Sequence, residues 1–138
     1  NQVSNNVEIY YHDKLLRHHS IGQRASALIL FILMQSDNDI ILIDQPEDDL
    51  DNKIIYDEVI TAIAKKKQDI QFIFATHNAN IPVLGDAERI FVVEYQDTTI
   101  DISQGNIDLK STHKQIVDIM EGGEEAFDKR QLIYTSWK

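Results

Sequence analysis

Apolar residues come in runs of two lengths along this chain, and run length separates its helices from its strands. The longest run, ALILFILM from Ala27 to Met34, follows SIGQRAS with no turn signal between them. Together they predict one helix from Ser20 to Gln35, apolar on nearly every side after its first turn and therefore expected to be buried. Shorter β-branched runs bounded by polar residues predict strands: VEIYY (Val7 to Tyr11), the end of DNDIILID (Asp37 to Asp44), DIQFIFAT (Asp69 to Thr76) and RIFVVEY (Arg89 to Tyr95). The continuous apolar character of IILI and FIFA is how strands read when both faces are covered, as in a parallel sheet. A basic connector, HDKLLRHH, follows the first strand, and TTIDIS adds an edge strand after a turn at Gln96-Asp97.

DNKIIYDEVITAIAKKK (Asp51 to Lys67) carries the clearest helical period. Asp51 or Asn52 can cap it, Ile55, Val59 and Ile63 share one stripe, and Lys65 to Lys67 complement its C-terminal dipole. The last thirty or so residues predict two short amphipathic helices, around HKQIVDIM and EEAFDKRQLIY, parted by Gly122-Gly123. Strand, helix, strand, loop, strand is the order of an α/β layer with right-handed crossovers. The expected fold is a single α/β domain over residues 1–138: a mostly parallel sheet flanked by helices, with a short helical C-terminal tail. No repeat, low-complexity stretch or linker divides the chain.

Composition narrows the partners. A chain of 138 residues can bury roughly two-thirds of its unfolded surface in one core. Its 13 Lys plus Arg against 23 Asp plus Glu give a net charge of −10, which favours solubility and makes the chain alone a poor binder of phosphate backbones. With no cysteine, disulfides and thiolate metal sites are excluded, which fits a cytoplasmic setting. The longest apolar run is too short to span a bilayer, so no membrane partner is expected. Opening on Asn1 rather than Met fits a piece of something longer.

The chemistry concentrates at strand ends. Open α/β sheets bind ligands there, and Asp44 follows IILI as His77 follows FIFAT. A carboxylate after a buried strand is a usual holder of Mg²⁺ near a nucleotide. The acids that crowd after it have a plainer reading as a helix N-terminus offsetting the dipole, which accounts for Asp48, Asp49 and Asp51. That reading leaves Asp44 unexplained, because it comes too early. An EF-hand is ruled out, since the mid-loop Gly is missing and Pro46 intervenes. Ser20 and Gly22 open the long helix, where free backbone N–H groups make an anion site; the plainer reading is that Ser20 simply caps the helix.

Taken in order, SIGQ, a long apolar helix, IILIDQP, DDLD and a strand ending in ATH resemble the second half of an ABC-type ATPase head. In that family they are the signature motif, the Walker B strand, the D-loop and the switch histidine. The pattern is similar to that of SMC and double-strand-break-repair ATPases, in which a coiled coil separates these motifs from the P-loop half. IDQPEDDLDN and FATHNANIPVLGDAE resemble a bacterial branch of AAA-like ATPases, some fused to PHP-type phosphoesterase domains. The resemblance covers about Ser20 to Tyr95. It implies ATP and Mg²⁺ as cofactors, with Asp44 positioning the metal through water. Ser20 and the Gly22 amide would touch the γ-phosphate of a nucleotide held by the opposite subunit, Asp51 would sense that subunit, and His77 would hydrogen-bond the γ-phosphate. Gln23, counted with the nucleotide-contacting turn, and Arg24 would orient it.

The chain departs from the family in two places. No G-x-x-x-x-G-K-[ST] is present, and the glycines at 22, 85, 105, 122 and 123 could not build one, so the chain is half of a site. Gln45 stands where the family places the Glu that activates water. An amide cannot take that proton, though it can orient water. Either Gln45 does so, or Glu47 supplies the base, or Gln45 is an engineered substitution that traps ATP. The expected function is ATP binding and hydrolysis in a composite head. It would be completed by a P-loop-bearing half, on the same or a separate chain, and by a second head in an ATP-dependent dimer. Nucleic acid enters through a larger machine in repair or defence. The alternatives are a nucleotide-sensing assembly module with little hydrolysis, or a Mg²⁺-dependent nuclease or phosphoesterase, which would need a second metal held from another strand.

Overall fold

The computed structural model describes residues 7–35, 37–50 and 52–138. They fall into two compact units, divided between Ile73 and Phe74.

The first unit opens with a small antiparallel hairpin, β1 (Tyr10–Tyr11) and β2 (Lys14–Leu15), with Tyr10 opposite Leu15 and Tyr11 opposite Lys14. His12 and Asp13 form its turn with φ of 46° and 57°, the left-handed geometry that closes two-residue hairpins. The segment expected as a plain connector after a longer strand is thus a return strand followed by a 3₁₀ turn, Leu16–His18. Strands of two residues are too short for a period to register.

Helix α1 (Ile21–Met34) begins at Ser20 with a complete capping box. The Gln23 N–H donates to Ser20 Oγ at 3.2 Å, and the Ser20 N–H donates to Gln23 Oε1 at 3.2 Å. The expectation that this helix is buried needs correcting. Only Ser26 and Leu33 are buried, while Leu28, Phe31, Ile32 and Met34 are exposed. The period reports apolar faces, not whether anything in the chain covers them.

Strand β3 (Ile40–Asp44) is hydrogen-bonded to β4 (Gln71–Ala75) in a two-stranded sheet, and the Gln71 N–H donates to the Asp39 carbonyl at 2.9 Å. The strands were expected to be covered on both faces. Instead Ile41 is buried while Ile40, Leu42 and Ile73 are exposed, so one side is open. The connection runs through a 3₁₀ turn (Pro46–Asp48), α2 (Asn52–Ile54), a π-helical stretch (Ile55–Ile60) and α3 (Thr61–Lys66). Asp51, one of the two expected caps, lies outside the described residues. The predicted stripe holds: Ile55, Val59 and Ile63 are all buried, and this segment packs against α1.

The second unit contains α4 (Asn80–Leu84) and a long antiparallel hairpin, β5 (Ile90–Gln96) and β6 (Thr99–Gly105), turned at Asp97. The register sets Val93 opposite Ile102 and Tyr95 opposite Ile100, with all four exposed. Helix α5 (Lys110–Met120) buries Thr112 and Ile116. Gly122 and Gly123, at φ of 77° and 90°, then turn the chain into α6 (Glu124–Ser136). Arg130 fastens α6 by donating to the Glu121 carbonyl at 2.7 Å and to its carboxylate. Helix α5 is amphipathic as expected. Helix α6 is not: Phe127, Leu132, Ile133 and Tyr134 are all exposed and spread around it. No helix among the described residues is long and apolar enough to cross a membrane.

Candidate functional site

Asp44, the last residue of β3, is exposed. Gln45 follows at φ 44°, ψ 57°, a left-handed conformation that costs a side-chain-bearing residue about 1–2 kcal/mol. It breaks the strand at once and hands the chain to the 3₁₀ turn, where the Asp48 N–H donates to the Gln45 carbonyl at 3.2 Å. Buried Pro46 and Leu50 pin the loop on either side of the acids. Asp48 and Asp49 face solvent, whereas Glu47 is half-buried and its Oε2 is closed off from solvent. The left-handed Gln45 is a feature that the sequence alone did not carry.

The turn at the start of α1 is braced from several directions. A β-carbon built on Gly22 would stand 2.9 Å from the Asp49 carbonyl oxygen, so the helix start lies backbone to backbone against the acidic loop. The capping box commits Gln23 Oε1 to the Ser20 N–H. Ser20 Oγ accepts from the Gln23 N–H, which leaves its own O–H donor uncommitted to the capping box. His19 ties the turn to the hairpin: Nδ1 lies 3.1 Å from Gln23 Oε1, and Nε2 lies 2.8 Å from the Tyr11 carbonyl.

One cluster escaped the sequence reading. Glu58 Oε2 accepts from the Tyr11 hydroxyl at 2.5 Å and from Ser26 Oγ at 2.6 Å. Burial, then the hydrogen bond to Glu58, push the Tyr11 phenol above its ordinary value. Separations of 47 and 32 residues hide such contacts from any local pattern.

In the second unit His77 is exposed, two residues past the end of β4. The loop around it is set by two local turns, the Asn78 N–H donating to Thr76 Oγ1 and the Asn80 N–H to Asn78 Oδ1, each at 3.0 Å. A concavity of about 460 Å³ along α6, lined by Phe127, Arg130 and Tyr134 among others, holds none of the candidate residues. The structure therefore assembles Ser20, Gly22 and Gln23 with the loop that follows Asp44 and Gln45, while His77 belongs to the second unit. Among the described residues no group of three or more His, Asp or Glu side chains is arranged to hold a metal. A single exposed carboxylate such as Asp44 still fits Mg²⁺, which takes one or two carboxylates and otherwise keeps waters and phosphate oxygens.

A family model described as "AAA domain, putative AbiEii toxin, Type IV TA system" matches residues 10–83, more than half of the chain. Among solved structures, the chain is similar to an SMC ATPase from a study of ATP-driven dimerization and DNA-stimulated activation. The TM-score is 0.57 at 22% identity, covering 72% of this chain and 62% of that one. At that identity the likeness shows the fold: an α/β lobe of the P-loop NTPase kind. The chain spans less than two thirds of that relative's length, 62%. No curated protein matches the sequence.

Proposed function

The chain belongs to this AAA-domain family, and on that footing we propose that it is the C-terminal half of an ABC-type ATPase head, residues 1–138 acting as one lobe. A P-loop-bearing half and a second head would complete its nucleotide site. The observation that carries this reading is the contact of Gly22 with Asp49. It sets a helix N-terminus, with Ser20 exposed, against the loop that leaves the strand ending in Asp44. In such a site Asp44 would hold Mg²⁺ through water, and the bound ion would neutralise charge on the phosphates. Ser20 and the Gly22 amide would meet the γ-phosphate on the opposite head, Asp51 would face that head, and His77 would hydrogen-bond the phosphate. Gln45 would orient the attacking water, or Glu47 would take its proton. The open apolar faces of α1 and β3 support a missing half as well as a missing phosphate loop.

ATP-driven dimerization and DNA-stimulated activation belong to the SMC relative. Extended to this chain, they point to a larger machine acting on nucleic acid in repair or defence. The acidic lobe itself would not be the part that touches the nucleic acid. A second reading, a nucleotide-sensing module with little turnover, is favoured by Gln45 in the water-activating position.

The test is calorimetry followed by ATPase assay. These residues alone should show no saturable ATP binding at micromolar concentrations, because a triphosphate needs the backbone cradle and Lys that the chain lacks. Binding and turnover should appear when a P-loop-bearing half is added. Tight Mg-ATP binding by the chain alone would overturn the half-site reading.

A further inference from the structure

Glu58 sits within the π-helical stretch Ile55–Ile60, and nothing in the proposed site calls for a carboxylate there. Its Oε2 nonetheless gathers the Tyr11 hydroxyl and Ser26 Oγ, so one atom joins the hairpin, α1 and the helix that follows the acidic loop. Ser26 is 1% exposed and lies one helical turn beyond Gly22, on the same face of α1. Two contacts therefore run along one face: Gly22 against the Asp49 backbone, and Ser26 against Glu58. Tyr11 closes a loop from the far side. Its hydroxyl reaches Glu58, while its carbonyl lies 2.8 Å from His19 Nε2, and His19 Nδ1 meets the cap residue Gln23.

A half-buried carboxylate is a weak way to stabilise a helix pair, since apolar residues of the same volume do as well. It is an effective way to fix one register, because only one placement satisfies both hydroxyl donors. The π turn points the same way. It admits an extra residue into a helix, and such turns often mark functional positions.

We propose that Glu58 is a positioning residue of the composite ATPase. Through Ser26 and Tyr11 it sets where the Ser20–Gln23 turn stands against the acidic loop, and so how that turn meets nucleotide on the partner head. This rests on the ATPase reading above. The amide oxygen of E58Q can still accept from both hydroxyls, whereas E58A removes the shared acceptor and leaves only the 3.5 Å contact between the Tyr11 hydroxyl and Ser26 Oγ, and Y11F removes one of the two donors.

Two measurements on the assembled protein separate the possibilities. The first is hydrogen exchange over Ser20–Ser26, which reads the turn whether or not ATP is hydrolysed. It should quicken by about tenfold in E58A and stay near wild type in E58Q. The second is steady-state ATPase. The kcat of E58A should fall by about tenfold with KM within about twofold, E58Q should retain most of the rate, and Y11F should lie between. A merely structural Glu58 would lower Tm and leave kcat per folded molecule unchanged. Unchanged exchange in E58A, or equal loss in E58Q and E58A, overturns the proposal. If E58A does not fold, Y11F and E58Q carry the test, and wild-type exchange and turnover in Y11F overturns it. Absent turnover in the wild-type assembly would instead strike the ATPase reading, with the exchange result still deciding whether Glu58 positions the Ser20–Gln23 turn.

Discussion

Replacing Gly22 by alanine tests the packing on which the proposed site depends. A β-carbon there would lie 2.9 Å from the Asp49 carbonyl oxygen, while ordinary contacts begin near 3.4 Å. About half an ångström must come from somewhere. The obstructing atom is backbone, in a loop pinned by buried Pro46 and Leu50, so no side chain can simply swing aside. Overpacking of this kind costs about 1–3 kcal/mol. Alanine's helix propensity returns at most about 1 kcal/mol. The net expectation is a loss of about 1 kcal/mol, which lowers Tm by roughly 3–4 °C in a domain of this size. Thermal and urea melts followed by far-UV circular dichroism give the answer. The urea midpoint should drop with an unchanged slope, the sign of a native-state effect. A Gly22→Ala protein that melts at or above the wild-type temperature would mean that propensity outweighs the clash, and that the turn and the acidic loop are not held in contact.

Two further outcomes bear on chemistry and pH. In the assembled enzyme Gln45→Glu should raise turnover if the base is missing, whereas Glu47→Gln should abolish it if Glu47 already serves; a rate unmoved by either change refutes both schemes. The Tyr11 phenol is held above its ordinary value of 10.0, first by its partial burial and then by its hydrogen bond to Glu58. The folded state thus prefers the neutral phenol. That contribution is complete below about pH 10 and is lost as pH rises through the folded value. The difference in stability between wild type and Tyr11→Phe should accordingly be flat below pH 10 and shrink above it. A difference that stays constant to pH 12 would show that the Tyr11–Glu58 contact does not hold in solution.

What could be read from the sequence was local. Ser20, read as a helix cap, does cap α1, and Ile55, Val59 and Ile63 stand at helical spacing and share a buried stripe. The π stretch was hidden because an apolar stripe four residues apart suits either winding. The left-handed Gln45 and the Tyr11–Ser26–Glu58 cluster were hidden because each is fixed by contacts distant in sequence. The exposure of α1 is different in kind. Its inward face offers Gly22, Ser26 and Leu33, while its outward face offers Leu28, Phe31, Ile32 and Met34. A helix meant for water has the opposite arrangement, with its large apolar residues inside. Gly22 and Ser26, both small, permit the close approach to the acidic loop and to Glu58. Large apolar residues outward are costly to leave against solvent, so their cost makes sense only beside another surface. A P-loop-bearing half laid against this face would supply both things the chain lacks, a cover for α1 and a cradle for phosphate, and one partner is a simpler account than two.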